Sequence, residues 1–141
     1  MLLTLLTASA ANAACGLVRR RLNRPDRTPR SYVGGRVKLT ALWNHGAAFA
    51  LPIPRPALLT CTAGALLSAL RLRKRSPIGA GLILGGGLSN LAERLAQGKV
   101  YDYVQFPKLP GKGKSYVYNL ADSFVFLGIL TLLLPKRRKK T

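Results

Sequence analysis

The sequence predicts an all-α membrane protein with four transmembrane helices and a small β-like element at the membrane surface. Two observations lead to this fold class. Hydrophobic residues make up 48% of the 141-residue chain, and most gather in four segments that contain no lysine or arginine. The basic residues, which give the chain a net charge of +19, stand between and after these segments. Basic side chains in such positions are typical of anchors that hold a spanning helix at anionic headgroups.

Each apolar segment is expected to form one transmembrane helix of a single membrane domain. The segments have 15 to 17 residues, slightly fewer than the roughly 20 that cross a bilayer core. Flanking aromatic and long basic side chains extend such spans to the interface. Gly85–Gly87, in the third segment, predicts close packing between helices. The predicted helices cover residues 2–18, 56–70, 78–92 and 118–134.

The first segment also has features of a cleaved signal peptide, because an Ala-x-Ala pattern precedes Cys15. It lacks a basic start and carries Asn12, so we expect it to remain as the first helix. Cys15 and Cys61 both lie in apolar segments. This placement predicts small core residues rather than a disulfide framework.

The two long loops contain the segments expected at the membrane surface. Residues 31–44, SYVGGRVKLTALWN, alternate and are rich in β-branched side chains, which predicts a short strand or hairpin. Residues 100–106, VYDYVQF, are aromatic and are expected to lie in the interface. The proline- and glycine-rich stretch that follows them predicts turns.

With four spans, the loops alternate between two sides of the membrane. We call the side with loops 19–55 and 93–117 face A, and the side with the N-terminus, turn 71–77 and tail 135–141 face B. Face A has 14 lysines and arginines and face B has 9. The positive-inside rule, applied to this count alone, would place face A in the cytoplasm.

Polar side chains other than lysine and arginine converge on face A. Asn90 and Glu93 are three residues apart, as are Asn119 and Asp122, so each pair lies on one helical face. Each residue has an ordinary explanation alone: Asp122 as a helix cap, for example, or Asp102 as a solvated loop acid. These explanations leave the convergence of three of the chain's four acids unexplained. The converging residues are Asn44, Gly46, Asn90, Glu93, Arg94, Asp102, Asn119 and Asp122.

The residue types favour acid–base chemistry by carboxylates. The chain has one histidine and no H-E-x-x-H or G-x-S-x-G motif, and the apolar segments contain no lysine for a Ser–Lys pair. Two aspartates, Asp102 and Asp122, remain on face A. Paired carboxylates share a proton, so one activates water while the other polarises a carbonyl group. This chemistry suits hydrolysis of a peptide bond at the bilayer and requires no metal or cofactor.

Three sequence blocks then resemble one known family, lipoprotein signal peptidase (signal peptidase II). N-x-G-x-A-F is formed by Asn44, Gly46, Ala48 and Phe49. GGGLSNLAERLAQGKVYDYVQF (85–106) is similar to the family's G-N-x-x-D-R…V-V-D-F block, and YNLADS (118–123) to its F-N-x-A-D-S block. The blocks occur in the family's order and cover about half of the chain, which makes their combination specific.

The resemblance implies a four-helix aspartic endopeptidase of the bacterial inner membrane, with face A outside the cytoplasm. It implies removal of signal peptides from prolipoproteins just before the diacylglyceryl-modified cysteine. The expected partners are that substrate and membrane lipids, with no nucleic acid, and the expected state is a monomer. The family's catalytic aspartates fall on Asp102 and Asp122. The residues expected to support them or bind substrate are Asn44, Gly46, Phe49, Asn90, Glu93, Arg94 and Asn119.

Several positions depart from the family's pattern. Glu93 stands where the family has aspartate, and Asn12 and Gly16 stand where its first helix has a D-x-x-x-K pair. The departures leave open a catalytically weak homologue that binds lipoprotein or lipid. The net charge of +19 leaves open a basic membrane-associated protein that binds nucleic acid or other anionic partners. The departing residues are Asn12, Gly16, Ser89, Glu93, Tyr101 and Tyr103.

Overall fold

The structure of the protein, a computed structural model, describes residues 1–23, 28–46 and 53–134. It has four α-helices and a four-stranded antiparallel sheet, in the order β1-β2-β3-β4. Phe49 and the basic tail 136–140 lie outside the described residues. The helices are α1 Leu2–Leu22, α2 Arg55–Leu72, α3 Pro77–Gln97 and α4 Leu120–Leu133. The strands are β1 Arg30–Tyr32, β2 Val37–Asn44, β3 Val100–Gln105 and β4 Val117–Tyr118, with a 3₁₀ turn at Gly111–Ser115.

Helices α1, α2 and α3 extend beyond their apolar segments, whereas α4 is shorter than its segment. Helix α1 continues through three arginines in its last turn, where cations interact favourably with the helix dipole. Helix α3 begins at Ser76, whose side chain accepts a hydrogen bond from the Gly79 N–H, and ends at Gly98 in the left-handed conformation. Helix α4 begins two residues later than predicted because Asn119 is its N-cap.

Helix α3 is central, and its three consecutive glycines each face a different helix. A Cβ on Gly85 would lie 2.5 Å from the Ala8 oxygen of α1, and one on Gly86 would lie 2.5 Å from the Ala121 oxygen of α4. Gly87 faces Leu66 of α2. Successive helix residues point about 100° apart, at 3.6 residues per turn, so one glycine run permits three close approaches. This confirms the packing expected from Gly85–Gly87.

Gly86→Ala is expected to destabilise the protein by about 1–3 kcal/mol, because its Cβ would press on backbone of α4 that cannot move independently. Gly16→Ala is the matched control, since a Cβ there meets nothing within 4 Å. It should be neutral or stabilising by up to ~1 kcal/mol through helix propensity. Thermal unfolding in detergent measures both. Equal melting temperatures for the two variants would contradict this packing.

The predicted hairpin over residues 31–44 is present as β1 and β2. They pair through Arg30↔Leu39 and Tyr32↔Val37. Most of the stretch 100–106, expected only to lie in the interface, forms β3 (Val100–Gln105), which joins this hairpin through Leu42↔Asp102 and Asn44↔Val100. The sheet therefore brings the two long loops together, which places Asn44 beside Asp102.

Apolar surface is distributed unevenly among the helices. Among the described residues, α1 is the one helix long and apolar enough to cross a membrane by composition, and α4 is apolar but shorter.

Of the two cysteines, Cys15 is buried as expected, whereas Cys61 is exposed, so the expected core position of Cys61 is wrong. Cys61 faces outward from α2, a helix that buries few of its side chains.

Candidate active site

Asp102 and Asp122 lie on two different elements and meet through Asn119. Asp102 is on β3 and is 2% exposed, while Asp122 is in the first turn of α4. The Asn119 side-chain amide donates to Asp102 Oδ1 at 2.8 Å. Asn119 Oδ1 accepts from the Asp122 backbone N–H at 3.0 Å, and Asp122 Oδ2 accepts from the Asn119 backbone N–H at 3.0 Å.

These reciprocal bonds form a capping box at the start of α4. The ordinary explanation of Asp122, a helix cap, is therefore correct in geometry. It does not exclude a second use, because Asp122 Oδ1 points elsewhere and accepts from the Asn90 amide at 2.9 Å. The Asn119 amide also donates to Asn90 Oδ1 at 3.1 Å. One network of amides thus holds both carboxylates.

Asn44 holds Asp102 from the opposite side. Its amide nitrogen donates to Asp102 Oδ2 at 3.1 Å, and its oxygen accepts from the Gly46 N–H at 2.9 Å. Arg94 in turn donates to the Gly46 carbonyl oxygen at 3.2 Å. The structure therefore brings Asn44 and Gly46 of the N-x-G motif together with Arg94 and the two aspartates.

Glu93 is oriented differently from the other predicted site residues. It is 6% exposed, and its Oε2 lies 3.3 Å from Arg19 Nη1 at the end of α1. Among the hydrogen bonds of the described residues, none joins Glu93 to either aspartate. Glu93 and Asn90 nevertheless line the same small cavity, in agreement with their three-residue spacing.

Two residues at the site were missed by the sequence reasoning. Arg19 is the ion-pair partner of Glu93. The two residues meet because α1 and α3 lie side by side, and no local sequence pattern predicts that packing. Tyr103, next to Asp102, accepts a hydrogen bond from the Leu120 N–H at 2.9 Å through its hydroxyl oxygen. The sequence signal for Tyr103 is that tyrosine stands where the family has phenylalanine, because a buried hydroxyl group needs a hydrogen-bond partner.

Burial and charge change the acidity of the groups on β3. Burial and, after it, the nearby charge of Asp122 raise the pKa of Asp102 to about 7, against the lowering effect of the Asn44 and Asn119 donors. Burial also raises the pKa of Tyr103 to about 12. Asp102 is therefore about half protonated at neutral pH and mostly protonated below it, and Tyr103 stays neutral.

The described residues contain no group of three or more His, Cys, Asp or Glu side chains that could hold a metal ion. The two carboxylates and their amide donors have the make-up of an acid–base pair. One proton shared by two carboxyl groups supplies both a base and an acid. A water molecule between them would meet the requirements for peptide hydrolysis.

Comparisons with known proteins agree on a single family. A family model described as signal peptidase (SPase) II matches residues 12–136. The lipoprotein signal peptidase of Pelotomaculum thermopropionicum is 39% identical over 103 residues, covering 67% of this chain and 63% of that protein. The chain thus spans less than two thirds of that relative's length. The lipoprotein signal peptidase of Syntrophomonas wolfei is 36% identical over 126 residues, covering 81% and 80% of the two chains.

A solved structure supports the same fold. It is described as a bacterial membrane enzyme determined by the in meso method at 2.3 Å resolution. It superposes with a TM-score of 0.79 over 98% of this chain and 93% of its own, at 16% identity. Because the family model spans most of the sequence, this chain belongs to the signal peptidase II family.

Proposed function

We propose that this protein is a membrane aspartic endopeptidase that cleaves the signal peptide from lipid-modified prolipoproteins. The observation that carries the proposal is the joining of Asp102 and Asp122 by the Asn119 side chain and backbone. Family membership supplies the substrate class, because the relatives are lipoprotein signal peptidases. The two carboxylates and one water supply every group that the reaction needs.

Asp122 is the member of the pair that carries the charge. It lies in the first turn of α4, where the helix dipole and the Asn119 N–H stabilise a negative carboxylate. Asp102, with its pKa of about 7, holds the shared proton. Asp122 then takes a proton from water, whose oxygen attacks the peptide carbonyl carbon, while Asp102 gives its proton to the carbonyl oxygen.

The second half of the reaction restores the pair. The tetrahedral intermediate returns a hydroxyl proton to Asp102, and Asp122 passes its proton to the departing amide nitrogen. The C–N bond then breaks, which releases an amine and a carboxylic acid. The Asn44 and Asn119 amides hold Asp102 during both steps, and Arg94 stabilises the negative charge near the pair.

The pH dependence of cleavage follows from the Asp102 proton. The reaction needs Asp102 protonated, and its pKa is raised to about 7. The rate should therefore be high below about pH 7 and fall about tenfold for each pH unit above it. Initial rates measured from about pH 5 to pH 9, with unfolding followed in parallel, would show this fall in rate above pH 7. A rate that stays constant up to pH 9 would contradict the assigned proton.

We also infer that all four helices cross the membrane. Their outward faces carry large exposed apolar side chains, and a contiguous surface of this kind marks contact with lipid. The lipid-modified cysteine of the substrate would lie in this bilayer, with its preceding peptide bond at the dyad. Examples on three of the helices are Leu6 and Leu17 on α1, Leu67 on α2, and Phe126 and Leu133 on α4.

In this topology, face A lies outside the cytoplasm. Lys112 on face A and Lys74 on face B are both exposed, so each can be replaced by cysteine. The background would carry alanine at Cys15 and Cys61. An impermeant thiol reagent added to intact cells should label Lys112→Cys and not Lys74→Cys. The opposite labelling would reverse the topology.

A complementation assay tests the proposed function. Bacterial cells depleted of their own lipoprotein signal peptidase accumulate uncleaved prolipoprotein, which is larger on an immunoblot. Expression of this protein should restore the mature size. Prolipoprotein that copurifies with the protein but stays uncleaved would instead favour a catalytically weak binding homologue.

A further inference from the structure

Arg19 and Glu93 form an ion pair between the ends of α1 and α3. Arg19 Nη1 lies 3.3 Å from Glu93 Oε2, with side-chain exposures of 29% and 6%. Within residues 1–23, 28–46 and 53–134, no other lysine or arginine pairs with an acid at this distance. A carboxylate as buried as Glu93 requires such a partner, since an unpaired buried charge is strongly unfavourable.

The pair borders the amide network of the dyad. Arg19 and Glu93 line one cavity, about large enough for a single water molecule, together with Asn90 and Asn119. Glu93 Oε1 is buried there without a hydrogen-bond partner. The pair therefore lies one layer behind Asn90 and Asn119, two of the three side-chain amides that contact the aspartates.

Arg94 is the other cation close to Glu93. It follows Glu93 directly in α3, and its guanidinium is near enough to feel the charges of Asp122, Asp102 and Glu93, in decreasing order. In the structure it donates to the Gly46 carbonyl, next to the turn that orients Asn44. Its Nε is buried without a partner, so Arg94 has a donor left over for an uncompensated carboxylate.

We propose that Arg19 is a positioning residue for the dyad, because it neutralises Glu93 and so leaves Arg94 at Gly46. This inference rests on the proposed function. Without the Arg19 cation, Glu93 attracts Arg94 away from the Gly46 carbonyl. Asn44 then loses its fixed orientation, and with it the hydrogen bond to Asp102. Arg19 touches neither aspartate, so its effect passes through Glu93 and Arg94.

A charge-neutralisation series tests this role with the full chain in lipid nanodiscs and a diacylglyceryl-modified prolipoprotein as substrate. Arg19→Gln should lower kcat by about tenfold or more, because small displacements of catalytic groups are costly. Its KM should stay within about twofold of wild type, since the pair lies behind the dyad. Arg19→Lys keeps the cation and should retain most activity. Arg20→Gln is the matched control on an exposed neighbour.

The double variant Arg19→Gln/Glu93→Gln separates positioning from simple stabilisation. It removes the charge that would attract Arg94, so kcat should recover towards wild type. This variant also carries the test if Arg19→Gln alone fails to fold. A double variant that folds but stays as slow as Arg19→Gln would overturn the role of Arg19. So would Arg19→Gln with a wild-type kcat. Absence of cleavage by the wild type would overturn the proposed function itself.

Discussion

Asp102→Asn and Asp122→Asn should each reduce prolipoprotein cleavage by about a thousandfold or more, because removing one member of a cooperating pair disables the pair. Asparagine keeps the shape of aspartate but can neither take a proton from water nor return one. Both Asp102 oxygens accept from amides, those of Asn44 and Asn119. Asparagine at position 102 has only one side-chain oxygen to accept a hydrogen bond. Its NH2 group would therefore face the NH2 group of either Asn44 or Asn119.

Folding controls make this result specific. Each substitution preserves volume, so both variants should stay folded and bind uncleaved substrate, with an unfolding temperature lowered by the opposed donors. Lys112→Gln, on an exposed turn, is a charge-changing control that should cleave at the wild-type rate. Near-normal cleavage by either aspartate variant would remove that residue from the dyad.

Asn119→Ala should have the second-largest effect. Asn119 caps α4 through the Asp122 N–H and donates to both Asp102 and Asn90. Alanine removes all three bonds, so we expect a loss of about 100-fold in kcat from misplaced carboxylates. It should also cost ~1 kcal/mol of stability through the lost cap.

Asn119→Ser distinguishes the two contributions. Serine is a good N-cap and should keep stability within about 0.5 kcal/mol of wild type. Its short hydroxyl cannot replace the amide that reaches Asp102 and Asn90, so kcat should fall nearly as far as in Asn119→Ala. Thermal unfolding and steady-state kinetics together measure both quantities. Wild-type kcat in Asn119→Ser would show that capping alone explains Asn119.

The sequence predicted those features that depend on local pattern. The apolar segments located four helices, and the i, i+3 spacing of Asn119 and Asp122 anticipated their shared face. The glycine run at Gly85–Gly87 anticipated close packing. These signals are local because helix periodicity and glycine volume act over a few residues.

Features that depend on contacts between distant segments were not predictable. Residues 100–105 become strand β3 because the β1–β2 hairpin offers an edge to pair with, and Asp102 reaches Asn44 only through that pairing. The Arg19–Glu93 pair likewise requires α1 and α3 to pack in parallel. The departure of Glu93 from the family's aspartate signalled a change, but its partner lay 74 positions away in sequence.

The most direct test of the central claim is an intact-mass measurement of the cleavage products. Purified protein in nanodiscs would be incubated with a diacylglyceryl-modified prolipoprotein and with the same chain lacking the lipid. We predict a signal peptide that ends at the residue before the modified cysteine, formed from the lipidated substrate by wild type and by neither Asp102→Asn nor Asp122→Asn. Cleavage at another bond, or equal product from wild type and the aspartate variants, would contradict an aspartic lipoprotein signal peptidase.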